Sequence, residues 1–194
     1  MGFRYDIRIS GSGGQGIVLL GIIIAEAAIF EGYNVSQTQS YGPEARGGSS
    51  KSEVVISDEE IDYPKALKLD CLLAMNQKSL DDYYMDLKGN GTLIVDSTYV
   101  TQLPSPKAYS IPFTRLAKER LGKDFVANIV ALGSFSVLTP YLRRKSLVEA
   151  MMRRIPKGTE KLNLSAFEIG VNEARKIKRN FRPVILSERI DEDT

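Results

Sequence analysis

The sequence predicts an α/β fold: a mostly parallel sheet with helices on both faces, in a single domain. Three observations point there. Short β-branched or alternating runs are interleaved with longer helical runs, the pattern of a parallel sheet covered on both sides. The chain has 194 residues, enough for one domain with a sizeable core but short for two. The first strand-like run ends in a glycine cluster that leads straight into a helical run, as a tight strand–helix turn requires.

The elements follow in order. Arg4 to Ser10 alternates and reads as the first strand. Gly16 to Glu31 is a helix, and after the break at Gly32 the run Tyr33 to Thr38 is a short strand. Gln39 to Ser50, with three glycines and a proline, reads as a long loop. Glu53 to Ser57 and Cys71 to Met75 are strands, and Gln77 to Leu87 is a helix. Lys88 to Gly91 is a turn, Thr92 to Asp96 a strand and Tyr109 to Ile111 a short strand. The remainder is helical: Phe113 to Leu121, Asn128 to Tyr141, Lys145 to Arg154 and Thr159 to Asn180. The last helix puts Phe167, Val171 and Ala174 on one stripe, and its basic end, Arg175 to Arg179, suits the negative pole of a helix dipole. Residues 1–182 form the domain, and residues 183–194 form a tail that is acidic from Ser187 onward.

Composition narrows the function. Apolar residues make up 43% and charged residues 26%, ordinary values for a globular chain. A net charge of +2 gives no electrostatic case for nucleic acid or an anionic membrane. There is no histidine, which removes the usual general base, the usual zinc ligand and every Ser/His or Cys/His nucleophile. Catalysis by Asp, Glu or Lys is left open by that count. The single cysteine, Cys71, cannot form an internal disulfide or hold an iron–sulfur cluster, and its apolar run marks a buried strand position. The N-terminus carries no apolar signal region, and Asp6 stands where a myristoylation signal needs Ser or Thr. The longest apolar run, Ile17 to Phe30, contains Glu26 and is too short to span a bilayer. The expectation is a cytoplasmic chain with no metal site and neither nucleic acid nor membrane as partner.

Two loops carry the functional signal. Gly11-Ser12-Gly13-Gly14-Gln15-Gly16 contains G-x-G-x-x-G after a strand and before a helix, which makes the fold Rossmann-like. Gly11 permits the turn, Gly13 lets a ligand approach the backbone, and Gly16 lets helix and strand pack closely. Amides at such a helix N-terminus face an anion such as a phosphate, face a partner's backbone, or merely close the turn. A dinucleotide site also needs an Asp or Glu at the end of the second strand; here the stretch Val35-Ser36-Gln37-Thr38-Gln39 has none, and no arginine for a 2′-phosphate either. The helix Ile17 to Ala25 is apolar nearly all round, so its outer face calls for another element or, in part, another subunit.

The second loop is Ser40-Tyr41-Gly42-Pro43-Glu44-Ala45-Arg46-Gly47-Gly48, placed near the same carboxyl edge. With the glycine loop it resembles the gamma subunits of the 2-oxoacid:ferredoxin oxidoreductases, most of all the 2-oxoglutarate branch. Val55-Ile56-Ser57, Asp62-Tyr63-Pro64 and Asn128 to Gly133 match as well, spread over most of the chain. The resemblance implies a gamma subunit with no catalytic residue of its own. The complex would decarboxylate a 2-oxoacid oxidatively with coenzyme A, giving acyl-CoA, CO2 and reduced ferredoxin. Thiamine diphosphate and Mg²⁺ would lie between alpha and beta subunits. The 4Fe–4S clusters would also sit on partner subunits, a ferredoxin-like delta subunit being one candidate carrier. Candidate ligand or subunit-interface residues are Gly11, Gly13, Gly14, Gln15, Gly16, Tyr41, Glu44 and Arg46. Of these Arg46 is the candidate carboxylate or phosphate partner, since its planar fork binds either bidentately. Tyr41 is a candidate aromatic anchor, and Glu44 a candidate partner for Arg46. The rival reading is a stand-alone Rossmann-type nucleotide-binding enzyme. The two separate by calorimetric titration with NAD(H) and NADP(H): the expected dissociation constant is weaker than about 10 μM, and tighter binding, about −7 kcal/mol or better, favours the rival.

Overall fold

The computed structural model describes residues 2–42, 49–105 and 107–180. Glu44, Arg46 and the tail 183–194 lie outside the described residues. The strands are β1 (Arg4–Ser12), β2 (Asn34–Tyr41), β3 (Ser49–Ser57), β4 (Leu69–Ala74), β5 (Leu87–Asp96) and β6 (Tyr109–Ile111). The helices are α1 (Ile17–Phe30), α2 (Gln77–Tyr83), α3 (Phe113–Leu121), α4 (Ala127–Leu138), α5 (Arg144–Arg154) and α6 (Glu160–Asn180). All six strands form one sheet, in the order β2-β3-β1-β4-β5-β6. β3 pairs antiparallel with both β1 and β2, whereas β1, β4, β5 and β6 pair in parallel. The sheet is therefore mostly parallel, with β3 alone running against the rest.

The predicted elements are present, with four differences of extent. The expected loop from Gln39 to Ser50 is instead the meeting point of two strands. β2 runs on to Tyr41 and β3 begins at Ser49, so Gln39 to Tyr41 and Ser49 and Ser50 are strand residues. Ser49 to Ser52 are held in strand conformation by ladders with β1 and β2, which hydrophobic patterning does not report. The expected turn Lys88 to Gly91 lies within β5, which bends through a register shift opposite Leu69 and Cys71. The second helix stops at Tyr83, and a 3-10 turn at Tyr84–Asp86 takes the chain into β5. α4 stops at Leu138 rather than Tyr141, because Pro140 forces the preceding Thr139 into an extended conformation, φ −110° and ψ 140°.

The two faces of the sheet are covered unequally. Ile7, Ile9, Val54, Ile56, Cys71, Leu73 and Ile94 face a core shared with α1, α3, α4, α5 and α6. On the other face Val55, Leu69, Leu72, Ala74, Leu93 and Val95 pack with Leu80 and Tyr83 of the short helix α2 and with Ile61, Ala66, Tyr84, Val100 and Ala108 of connecting segments. The outer side of α1 is met largely by α5, where Arg153 stacks 4.4 Å over the Phe30 ring and Arg154 pairs with Glu26 at 2.6 Å. Beyond α5, Ile29 stays exposed and Val18, Leu19 and Ile22 stay partly exposed. On the thinly covered face Arg8 is buried. Its guanidinium donates to Glu53 Oε1 (2.8 Å), the Asp86 carboxylate and the Ala66 carbonyl (3.0 Å), and lies 4.7 Å from the centre of the Tyr83 ring.

α4 and α6 cross closely because both carry glycine at the contact. A Cβ on Gly170 would lie 1.9 Å from the Val130 carbonyl oxygen, and one on Gly133 would lie 2.0 Å from that of Phe167. Ser134 Oγ donates to the Gly170 carbonyl at 3.0 Å across the same crossing. Since backbone cannot yield as a flexible side chain does, Gly170→Ala should destabilise the chain by about 1–3 kcal/mol or more. Urea unfolding measures it: the midpoint should fall with the slope unchanged.

Candidate functional site

β1 delivers the glycine loop to the carboxyl edge of the sheet. Gln15 closes the turn from within: its Oε1 accepts from the Ser12 amide at 2.6 Å, and its backbone N–H donates to the Ser12 carbonyl at 3.2 Å. Asn76 holds the turn from β4, donating from Nδ2 to Ser12 Oγ at 2.8 Å, while its Oδ1 caps α2 at the Ser79 amide. The turn ends at Gly16, whose φ of 71° is left-handed and which abuts the buried Asn128 of α4. With glycine as cap and no acid in the first turn, no side chain of α1 satisfies its leading amides. They form a small electropositive end suited to an anion.

Gly14 and Gln15 share a cavity of about 200 Å³ with Tyr99, Thr114, Asp124, Phe125 and Ala127. Tyr99 and Phe125 are half or more exposed. Asp96, fully buried at the end of β5, shapes the far wall: one carboxylate oxygen accepts from the Thr114 amide (3.1 Å) and hydroxyl (2.6 Å), the other from the Thr98 amide (2.9 Å). Backbone amides lie on one side of this cavity and two aromatic rings on the other. None of its lining residues is a serine, cysteine or lysine placed as a nucleophile. Cys71 is fully buried in the core, and that burial pushes its thiol well above the ordinary range.

Of the residues singled out from sequence, Gly14 and Gln15 line the cavity, while Gly11 and Gly16 shape the turn that forms it. Gly13 lies between them. Tyr41 is exposed at the end of β2, at the same edge, but β3 separates it from β1. Two strand spacings put it about 10 Å away in the sheet plane. Glu44 and Arg46 lie outside the described residues. Tyr99, Thr114, Asp124 and Phe125 were not anticipated. Their signal was positional: they follow β5 or precede α4, in segments that reach the carboxyl edge. The order also bears on dinucleotide binding. A ribose-binding carboxylate belongs on the strand beside β1, at its carboxyl end; here that neighbour is β3, which runs the other way, and β2 ends without an acid.

This architecture, with a glycine turn feeding a binding cleft, belongs to a known family. A family model described as pyruvate ferredoxin/flavodoxin oxidoreductase matches residues 6–173, and the chain belongs to that family. Within it the likeness is to gamma subunits of 2-oxoacid:ferredoxin oxidoreductases. The 2-oxoglutarate synthase subunit KorC of Methanocaldococcus jannaschii is 47% identical, over 90% of this chain and 96% of the relative. The crystal structure of a keto/oxoacid ferredoxin oxidoreductase gamma subunit from Geobacter sulfurreducens superposes with a TM-score of 0.78 at 44% identity, covering 89% of this chain and 99% of that one. The 2-oxoglutarate:ferredoxin oxidoreductase of Magnetococcus marinus shares the fold, with a TM-score of 0.80 at 24% identity; this chain covers 31% of that longer one. Among the described residues no helix is long and apolar enough to cross a membrane.

The two positive-φ glycines of the loop should separate in mutagenesis. A Cβ on Gly14 meets nothing within 4 Å, whereas one on Gly16 would lie 2.2 Å from Asn128 Nδ2. Gly14→Ala should cost only the left-handed backbone strain, about 1–2 kcal/mol. Gly16→Ala adds the clash with a buried amide and should cost about 2–4 kcal/mol. Chemical denaturation of both variants checks the order; equal losses would mean that Asn128 yields freely.

Proposed function

We propose that this chain is the non-catalytic gamma subunit of a thiamine-diphosphate-dependent complex that oxidatively decarboxylates a 2-oxoacid, 2-oxoglutarate above others. The complex uses CoA and yields acyl-CoA, CO2 and reduced ferredoxin. The observation that carries this reading is a cavity lined by helix amides, two aromatic rings, Thr114 and Asp124, without serine, cysteine or lysine, in a chain without histidine. The near full-length likeness to a 2-oxoglutarate synthase subunit favours that substrate branch.

In this reading the chain's own residues bind and orient. The amides at the start of α1 meet an anionic group, and Tyr99 and Phe125 flank an apolar or flat one. Gln15 and Asn76 keep the turn fixed, so little conformational freedom is lost when the cleft is filled. Thiamine diphosphate, Mg²⁺ and the 4Fe–4S clusters belong to alpha, beta and, where present, delta subunits. This chain offers a cluster only one thiol, and that one is buried. The complex works in the cytoplasm, with ferredoxin as its acceptor. The rival, a stand-alone nucleotide-binding enzyme, is disfavoured because β3 occupies the place of the ribose-binding strand.

Reconstitution tests the proposal. The lone chain, given 2-oxoglutarate, thiamine diphosphate, Mg²⁺, CoA and an electron acceptor, should not turn over, and adding its partner subunits should give activity. Turnover by the lone chain, free of contaminants, refutes the reading. In the same system Arg46→Ala should shift the stability of the lone chain by no more than about 0.5 kcal/mol. It should weaken assembly by about 2–5 kcal/mol, the cost of leaving a buried charged partner unpaired. A sharp fall in melting temperature with normal assembly would make Arg46 a structural residue instead.

A further inference from the structure

β2 forms one edge of the sheet, and its eight residues, Asn34-Val35-Ser36-Gln37-Thr38-Gln39-Ser40-Tyr41, include no charge and no proline. Exposed edges are usually blunted by such residues, because an open row of amides and carbonyls recruits another strand. Which groups are open follows from the hairpin. Gly42 N–H donates to the Ser49 carbonyl at 2.7 Å, and Ser52 Oγ donates to the Thr38 carbonyl at 3.5 Å, so the even-numbered residues of β2 address β3. The β2–β3 register runs without a shift from Asn34 to Tyr41. By the alternation of antiparallel ladders, the N–H and C=O of Val35, Gln37, Gln39 and Tyr41 point away from the sheet.

We infer that β2 pairs antiparallel with β2 of a second copy of this chain, about a two-fold axis at Thr38. That axis sets Gln37 of one copy opposite Gln39 of the other, Val35 opposite Tyr41, Ser36 opposite Ser40, and Thr38 opposite Thr38. Every outward-facing residue then meets an outward-facing residue, giving about eight backbone hydrogen bonds, two for each of the four pairs. The side chains favour a self-pair over a foreign strand. Amide meets amide, hydroxyl meets hydroxyl, and Val35 meets an aromatic ring, a favourable cross-strand combination. A two-fold axis brings like side chains together, so a charged edge would repel itself; this strand has no charge to repel. The contact joins the two six-stranded sheets into one. Because the strands run oppositely, the two glycine-loop clefts face opposite ways, and both stay open to other subunits.

Sedimentation velocity of the full chain over a range of concentrations tests the pairing. The wild type should sediment at twice the chain mass. Gln39→Pro removes one outward N–H per copy, an edge position where proline is tolerated. It should weaken the dimer at least about tenfold with circular dichroism and melting temperature unchanged. A wild type that stays monomeric up to about 100 μM, or a Gln39→Pro variant that dimerises as well as the wild type, overturns the inference. Should Gln39→Pro fail to fold, amide exchange on the wild type decides. Exchange at Val35, Gln37 and Gln39 that speeds up on dilution carries the inference, and exchange indifferent to concentration overturns it. If those amides become protected only in the complex with other subunits, the edge belongs to a foreign strand, and the self-pair is wrong.

Discussion

The antiparallel pairing of β3 with β1 is the constraint on which the arrangement depends. It runs from Arg4 opposite Ser57 to Ser12 opposite Ser49, the whole length of β1. A strand laid there occupies the side of β1 that a parallel second strand would otherwise take. β2 is thereby pushed to the edge, the end of β2 and the start of β3 are brought to the carboxyl end, and the glycine loop is left with β4 and the start of α4 as its neighbours. The chain's Rossmann-like appearance and its lack of dinucleotide geometry thus come from the same ladder.

What could be read from the sequence was whatever is local. The glycine turn is local: strand, four glycines and helix adjoin in the chain, with close contacts at Gly11 and Gly16 and a left-handed backbone at Gly14 and Gly16. The all-apolar α1 also announced burial on more than one side, although its covering element, α5, could not be named, because no periodicity states which helix will lie across it. The first half of β3 was hidden for a different reason. Ser49, Ser50, Lys51 and Ser52 are polar, and although Ser50 and Ser52 are buried, no apolar residue announces it; ladders on both sides hold the strand. The cleft was half legible. Gly14 and Gln15 stood out, but the opposite wall comes from Tyr99, Thr114 and Phe125, brought there by the parallel order β1-β4-β5-β6.

The unequal coating of the sheet fits a subunit better than an isolated enzyme. One face has five helices over it; the other has one short helix and extended chain, with Leu67 and Met85 exposed. Such a surface is at ease when something else lies near it. The cavity at the carboxyl edge likewise offers backbone donors and aromatic rings.

Arg8 carries a consequence for how this thin face comes into being. Its guanidinium gathers one acid from β3, another from the turn before β5, a carbonyl from the β3–β4 connection and the Tyr83 ring. Any one of these alone would leave a cation stripped of water and poorly compensated. The four segments therefore gain from closing around it together, and partial closure is the unfavourable state. A face with little apolar packing is made cooperative by a single side chain: it opens and shuts as one unit, not by fraying from its loops inward.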